Sequence, residues 1–489
     1  MNKPIRTLSL FCLLLFLALL GRATYLQYYE AESLNARPEN RRVIEAAYSA
    51  ERGAILVGRT PIAESKPSND RYKFQRTYPQ PNMYAPITGY FSYYSQTGVE
   101  HSENAVLSGD DSRLFVTRLV DLLSNSTPKG GGVQLTINAA AQAAAFNGLK
   151  NLGPGAEGSV VAINPSTGAI LAMASYPSYD PNQLASHDFK SVAERQQQLE
   201  GAPGSPMVNR AIQTRLFPGS TFKVVTAAAA IESGKYSYDS QVPGGPSYQL
   251  PQTSGSTGLV DNEGRDCGSG KISFSQAMEN SCNTSFAHLA VNIGADQLRK
   301  TAEGFGFNQH YLDDLGPQVT SVFPQNLNPP QTGQAGFGQF DVQATPLQMA
   351  MVAAGIANGG VVMKPYVVDG VLTPALEPLP RTNPEELSQA VSANTADQVT
   401  KLMVDTVRSG TAYPAAIPGV DVAGKTGTAQ TGTSEPPYAW FISFAPAADP
   451  KVAVAVMIQK APGVERGEIA GGTLGGPIAK AIMEAVIHP

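Results

Sequence analysis

The sequence predicts an α+β domain over residues 156–489. Residues 157–177, "EGSVVAINPSTGAILAMASYP", read as two apolar strands joined by a turn. A second hairpin, "YAWFISFAP" and "KVAVAVMIQ", flanks the turn residues 447–450 near the C-terminus. Most of the sequence between them has a helical pattern. Two hairpins so far apart in sequence build one sheet with helices on its faces. Ahead of this domain lies a polar, tyrosine-rich region of mixed character, assigned to residues 31–155, and before it residues 1–30 form an anchor.

The anchor comes first. Lys3 and Arg6 precede a mostly apolar run from Leu8 to Leu20. A membrane span needs about 20 residues. Ile5 to Leu26 supplies that length if Arg6 and Arg22 snorkel to the interfaces. The same run also suits the core of a secretory signal. Against cleavage, Gly21-Arg22-Ala23 has a poor middle residue, and Cys12 follows Phe11 rather than a small residue. The expectation is an uncleaved single-pass anchor with its basic end cytoplasmic and the rest of the chain exported; a cleaved signal is the alternative.

Further along, "STPKGGG" (126–132) reads as a linker or sharp turn, followed by a short strand and an alanine-rich helix capped by Asn138. "TPLQMAMVAAGIANGG" (345–360) opens as a capping box, with Thr345 as cap, Pro346 at the first helical position and Gln348 reaching back. "GGPIAKAIMEAVI" closes the chain as an amphipathic helix. A length of 489 residues fits two or three domains, and 42% hydrophobic residues suffice for sizeable cores. A net charge of −5 without a basic run argues against a nucleic-acid partner. Histidines 101, 187, 288, 310 and 488 have no ligand spacing, so neither a metal nor a cofactor is expected.

The chemistry starts at "LFPGSTFKVVTAAAAI" (216–231), which holds a single formal charge, Lys223. Pro218-Gly219 ends what precedes, so Ser220 begins a helix and Lys223 lies one turn on, within reach of its hydroxyl. Serine needs a base to become a nucleophile. Lysine serves only when neutral, which apolar burial, a helix N-terminus or a second cation favours. Taken alone, the S-x-x-K tetrapeptide is weak, and on its own it favours a snorkelling helix lysine. A second copy, Ser126 to Lys129, contains Pro128 and cannot be a helix face. Two further motifs change the balance. Lys425-Thr426-Gly427 directly precedes the "YAWFISFAP" strand, as an edge strand that pairs with an extended peptide would. Ser281-Cys282-Asn283 follows the apparent helix "SFSQAMEN", with Asn283 a candidate cap for the next one. The other S-x-N triplets, at Ser33, Ser102 and Ser392, lack this context; Ser392 reads as a helix N-cap.

Together, "STFK", "SCN" and "KTGT" resemble the active-site set of penicillin-recognising serine enzymes. "GQFDVQATPLQMAMVAAGIANGG", "VRSGTA" (407–412) and the 157–182 segment resemble the catalytic module of class B penicillin-binding proteins. Upstream, Arg52-Gly53-Ala54-Ile55, "RTYPQP" (76–81) and "TGVEHSENAVLSG" (97–109) resemble that class's non-catalytic pedestal, most closely in the actinomycete penicillin-binding protein A group. The acidic stretch usual after the Arg-Gly motif is contracted here to "LVGRTPIAES". The resemblance implies a penicillin-recognising transpeptidase fold on a pedestal at 31–155. It implies that Ser220 attacks the D-Ala-D-Ala bond of a peptidoglycan stem peptide while Lys223 takes its proton. Ser281 and Lys425 would pass a proton to the departing D-alanine, and Asn283 would hold the substrate amide. Thr426, Gly427 and Thr428 would form the substrate-binding strand, and the N–H groups of Ser220 and Thr428 the oxyanion hole. An acceptor amine then completes the cross-link, and β-lactams acylate Ser220. Implied partners are a SEDS-type glycan polymerase and division proteins. A hydrolase shares the motifs, but none of Glu303, Glu377, Glu385 or Glu386 has the Asn four residues on that a class A β-lactamase pattern requires. A non-catalytic sensor or scaffold would not need all three motifs intact.

The exported part holds two cysteines, Cys267 and Cys282. An even pair outside the cytoplasm is permitted to oxidise, and a bridge would pin the glycine-rich loop "NEGRDCGSGK" beside the S-x-N triplet. Two free buried thiols are the alternative. Trp440 is expected to pack in the sheet.

Overall fold

The computed structural model describes residues 2–35, 48–115, 123–124, 129–429 and 436–488. Ser126 and Pro128 lie outside these residues. The chain opens with α1 (Asn2–Tyr28), of which Lys3–Tyr28 is long and apolar enough to cross a membrane, with a mean hydropathy of 2.0. Such a helix is compatible with a single-pass anchor.

The strands of the two larger sheets are, in chain order, β1 (Ile55–Val57), β2 (Thr60–Pro67), β3 (Phe74–Thr77), β4 (Gly132–Leu135), β5 (Glu157–Ile163), β6 (Ile170–Tyr176), β7 (Val368–Leu372), β8 (Pro378–Arg381), β9 (Ala423–Ala429), β10 (Tyr438–Ala445) and β11 (Val452–Lys460). One sheet has the order β8-β7-β4-β1-β2-β3, with β1 and β4 parallel. Two of its strands, β7 and β8, come from residues 368–381, well inside the C-terminal region. Beneath this sheet Arg52 and Arg76 each place Nε 2.6 Å from the carboxylate of Glu100, and all three side chains are buried.

The second sheet, β9-β10-β11-β5-β6, is antiparallel throughout and has β9 at its edge. Its central strands are buried on both faces, which explains their near-continuous apolar sequences. The period of two still sorts the side chains of β11. Val452, Val454, Val456 and Ile458 face α2 (Ala139–Lys150) and the C-terminal helix Gly476–Ile487, while Ala453, Ala455 and Met457 face the opposite core. The alanines on that second face leave room for the close approach of the Pro346–Ala357 helix, apolar all round and buried from Pro346 to Ile356. Asn138 caps α2 through the Ala141 N–H. Thr345 caps the Pro346–Ala357 helix as expected, but Gln348 does not reach back to complete a capping box. Its amide donates instead to the carbonyl of Phe305 at 2.6 Å, because this helix start is buried and that carbonyl needs a donor. Trp440 lies fully buried in β10.

Candidate active site

Ser220 lies in a 3-10 turn, Gly219–Phe222, that precedes the α-helix Lys223–Glu232 rather than opening it. The turn is held by Gly219 N–H to the Gly338 carbonyl at 3.1 Å and by Thr221 Oγ1 to the Pro218 carbonyl at 2.7 Å. Gly219 has φ +52° and Gly338 φ +76°, the left-handed region that glycine enters without cost. A side chain at Gly338 would also strike the Gly219 carbonyl. Strand β9 packs on this turn. A Cβ at Gly427 would meet the Pro218 carbonyl oxygen and Thr221 Cγ2, both at 3.0 Å. The glycine of K-T-G is therefore what lets the strand lie against the serine.

Lys223 is fully buried, and its amine makes three contacts: the Ser281 carbonyl at 2.7 Å, Asn283 Oδ1 at 2.7 Å and Ser281 Oγ at 3.2 Å. Its hydrogen bonds thus go to the S-x-N triplet, not to Ser220 as the helical spacing alone suggested. The carbonyl and amide oxygens of that triplet converge on the amine and fix it. Asn283 is the first residue of the helix Asn283–Ile293 and does not cap it: its Oδ1 takes the Lys223 bond, and its Nδ2 donates to the Asp261 carbonyl at 3.1 Å. Ser281 sits between two helices at φ +54°, a left-handed conformation unusual for serine and a form of backbone strain common at working sites.

Lys425, also fully buried, reaches the same hydroxyl from the opposite side, 2.9 Å from Ser281 Oγ and 3.0 Å from the Thr426 carbonyl. Ser281 Oγ therefore links the two lysines. Burial pushes the Lys223 amine well below the usual lysine range, and the charges of Lys425 and Arg265 push it further, against a smaller opposing effect of Glu263. Burial and then Arg265 push Lys425 down as well. Thr426 Oγ1 lies 2.8 Å from Thr411 Oγ1.

Two lobes, of about 250 and 310 Å³, meet at Ser220 and Thr428. The first is bounded by Arg265, Ser281, Thr426 and Gly471–Thr473, the second by Glu263, Asn283, Phe337 and Phe340. Cys267 and Cys282 are joined, with an S–S distance of 2.01 Å, so the loop carrying Glu263 and Arg265 is tied to the triplet that holds Lys223. Arg265, Glu263, Thr411 and Gly471–Thr473 escaped the sequence reading. Arg265 and Glu263 left a trace in the loop that the cysteine pair singled out, and Thr411 in the quoted "VRSGTA" (407–412); Gly471–Thr473 left none. Among the described residues no group of three His, Cys, Asp or Glu side chains could hold a metal ion.

Two family models match the chain: the penicillin binding protein transpeptidase domain over residues 158–484 and the penicillin binding protein A dimerisation domain over residues 52–133. Peptidoglycan D,D-transpeptidase PbpA of Mycolicibacterium smegmatis is 42% identical over 500 residues, covering 100% of this chain and 99% of that protein. Its namesake in Mycobacterium tuberculosis is 42% identical over 502 residues, with the same coverage. Among solved structures, the ceftriaxone acyl-enzyme complex of penicillin-binding protein A from M. tuberculosis aligns with a TM-score of 0.85 at 40% identity, covering 91% of this chain and 100% of that one. The imipenem acyl-enzyme complex of the same protein gives 0.83, at the same identity and coverage.

Proposed function

Since the chain belongs to the penicillin-binding protein transpeptidase family and is a peptidoglycan D,D-transpeptidase of cell-wall synthesis, we propose that Ser220 is its nucleophile and that Lys223, Ser281 and Lys425 move the protons. The observation that carries this reading is the placement of two fully buried lysines on either side of one serine hydroxyl, beside Ser220. Ser220 Oγ attacks the carbonyl carbon between the two terminal D-alanines, and its proton passes to Lys223. The N–H groups of Ser220 and Thr428 receive the oxyanion, an interaction typically worth about 3 kcal/mol. As the carbon–nitrogen bond breaks, a proton relayed through Ser281 from Lys425 reaches the leaving amine. D-Alanine departs and leaves an ester on Ser220. The acceptor amine then attacks this ester and gives up a proton through Ser281 to Lys425, while Lys223 returns its proton to the departing Ser220 oxygen, so one peptide bond is broken and one is made.

Thr426 and Thr428 hold the terminal carboxylate, Gly427 lets β9 approach the turn, and Asn283 faces the donor amide. β-Lactams enter the first half of this cycle and stop at the ester. Residues 31–155 serve as the non-catalytic pedestal and 156–489 as the transpeptidase domain. The anchor supports an extracytoplasmic position for both, with a SEDS-type glycan polymerase and division proteins as membrane partners.

Labelling of the full chain with a fluorescent penicillin tests the assignment. Ser220→Ala should abolish the covalent label and Ser126→Ala should leave it. An undiminished label on the Ser220 variant would end this reading.

A further inference from the structure

We propose that Thr411 is a positioning residue for the reaction: its hydroxyl donates to that of Thr426, so that the one hydrogen of the Thr426 hydroxyl points at the carboxylate of the donor. The proposal rests on the acyl-transfer reading given above, with Ser220 as nucleophile and Thr426 as a holder of that carboxylate.

Thr411 stands where the segments carrying two of the motifs meet. It follows the helix Ala393–Arg408 in a tight turn, in which the N–H groups of Gly410 and Ala412 both donate to the Thr406 carbonyl at 3.1 Å. Its own N–H donates at 3.2 Å to the carbonyl of Glu279, the last residue of the helix Phe274–Glu279, which leads into Ser281. Gly410 permits that contact, since a Cβ there would lie 2.8 Å from the same carbonyl oxygen. The Glu279 side chain ties the turn a second time by accepting from Ser409 Oγ at 3.0 Å. The Thr411 backbone is therefore fixed to the segment before Ser281, while its hydroxyl reaches Thr426 on β9. A side chain that must hold another in register needs such support.

The contact on β9 is a single one. Thr426 Oγ1 lies 2.8 Å from Thr411 Oγ1 and makes no other hydrogen bond among the described residues. Gly472 closes in on both threonines: a Cβ there would lie 3.3 Å from Thr426 Cγ2 and 2.5 Å from the Thr411 carbonyl oxygen. With its methyl beside Gly472 and its hydroxyl on Thr411, Thr426 is held in one rotamer, and a β-branched side chain has few to choose from. Both threonines and Gly472 line the lobe that contains Ser220, Ser281 and Thr428.

The direction of this bond follows from the hydrogens available. Each hydroxyl has one hydrogen and two lone pairs, and an ionised carboxylate has only lone pairs. Thr426 can therefore hold a carboxylate only by donating to it, which uses its one hydrogen. Between the two threonines the donor is then Thr411. Thr411 is under no such constraint, because it is exposed and solvent is open to its lone pairs. A hydroxyl that already accepts a hydrogen bond is also polarised toward giving one. With Thr411 in place, the Thr426 hydrogen is aligned before the carboxylate arrives, and such preorganisation strengthens binding. In the opposite direction, with Thr426 donating to Thr411, the substrate would have to compete with Thr411 for that hydrogen.

The test compares one acylating agent with and without its carboxylate. Full-length enzyme in detergent is acylated with benzylpenicillin or with benzylpenicillin methyl ester, and the second-order rate constants are measured. Thr411→Val keeps the shape and removes the hydroxyl. In that variant the constant for benzylpenicillin should fall about tenfold, and that for the ester by no more than about twofold. Thr411→Ala should do the same, and Thr411→Ser, which restores the hydroxyl, should recover the parent ratio. The ratio is internal to each variant, so damage to the fold lowers both constants alike. In a Thr426→Val background, Thr411→Val should leave the ratio where it is, because Thr411 acts through that hydroxyl. An unchanged ratio in Thr411→Val and Thr411→Ala, by no loss or by equal loss with both agents, would overturn the proposal, as would a gain with benzylpenicillin. Acylation of Ser220→Ala, or none of the unaltered chain, would instead overturn the acyl-transfer reading and this proposal with it.

Discussion

Removing the Cys267–Cys282 bridge separates what it does for stability from what it does for catalysis. The perturbation is the double substitution Cys267→Ala and Cys282→Ala, which cuts the cross-link without placing a new polar group among these buried positions. The bridge closes a separation of 15 residues. In the chain-entropy account, a loop of that length restrains the unfolded chain by about 3 kcal/mol. The folded loop keeps its other ties, among them the bonds from Asn262, Asn280 and Asn283, so it should loosen rather than detach. Denaturant unfolding should therefore show a loss of about 3 kcal/mol, or somewhat less.

Acylation should respond differently. Neither sulfur takes part in the chemistry, yet Cys282 lies between Ser281 and Asn283, and small misplacements of such residues cost up to about a hundredfold in rate. The double variant should acylate more slowly, by a few-fold to about a hundredfold, when followed by stopped-flow with penicillin. Reduction of the unaltered protein should act in the same direction. Two results would refute this reasoning: an unchanged unfolding midpoint, or complete loss of acylation in a variant that remains folded.

Other consequences can be tested alongside it. Lys425→Ala removes a cation that holds the Lys223 amine down, so the rise of acylation rate with pH should move to higher pH; an unmoved profile would remove that role. Glu100→Gln leaves Arg52 and Arg76 buried without their counter-charge, and should cost about 3–5 kcal/mol in denaturant unfolding. Burial pushes the Glu100 carboxyl up, but the two guanidiniums outweigh it and hold it below the usual range. Its stabilisation is therefore complete at neutral pH and is lost as pH falls through the folded-state value. A melting temperature of the Glu100→Gln variant equal to that of the parent would contradict both statements.

The two hairpins, the caps at Asn138, Thr345 and Ser392, and the buried Trp440 were all legible, because each rests on local pattern. The site motifs were legible for a related reason: every one contains a residue that its local surroundings do not explain. Lys223 stands in an apolar helix, and Gly427 in a strand. Relations across the chain were less accessible. Arg52, Arg76 and Glu100 each lie in a separate quoted fragment, yet nothing in those fragments says that they meet in one ion cluster. Strands β7 and β8 were hidden inside a region read as helical, since Pro378, Pro380 and a turn-rich composition are what an edge hairpin shows. The partner of Lys223 was misplaced because a spacing of three suggests contact with Ser220, whereas the chain at Ser281 turns its carbonyl onto the amine from a segment 58 residues away.

That displaced contact also explains how the two lysines divide the work. A neutral amine has two N–H groups and one lone pair. Two oxygens that can only accept, the Ser281 carbonyl and Asn283 Oδ1, lie 2.7 Å from the Lys223 nitrogen and use both N–H groups. The lone pair is then left for a hydroxyl, either Ser281 Oγ at 3.2 Å or the nucleophile itself. Among the described residues Lys425 meets one such oxygen, the Thr426 carbonyl, besides Ser281 Oγ, so as an ammonium it keeps one N–H for a substrate carboxylate. Asn283 thus occupies one Lys223 donor without adding a negative charge beside the amine. An aspartate at that position would pair with the ammonium and hold the proton on it, opposing the step that the buried lysine is there to perform.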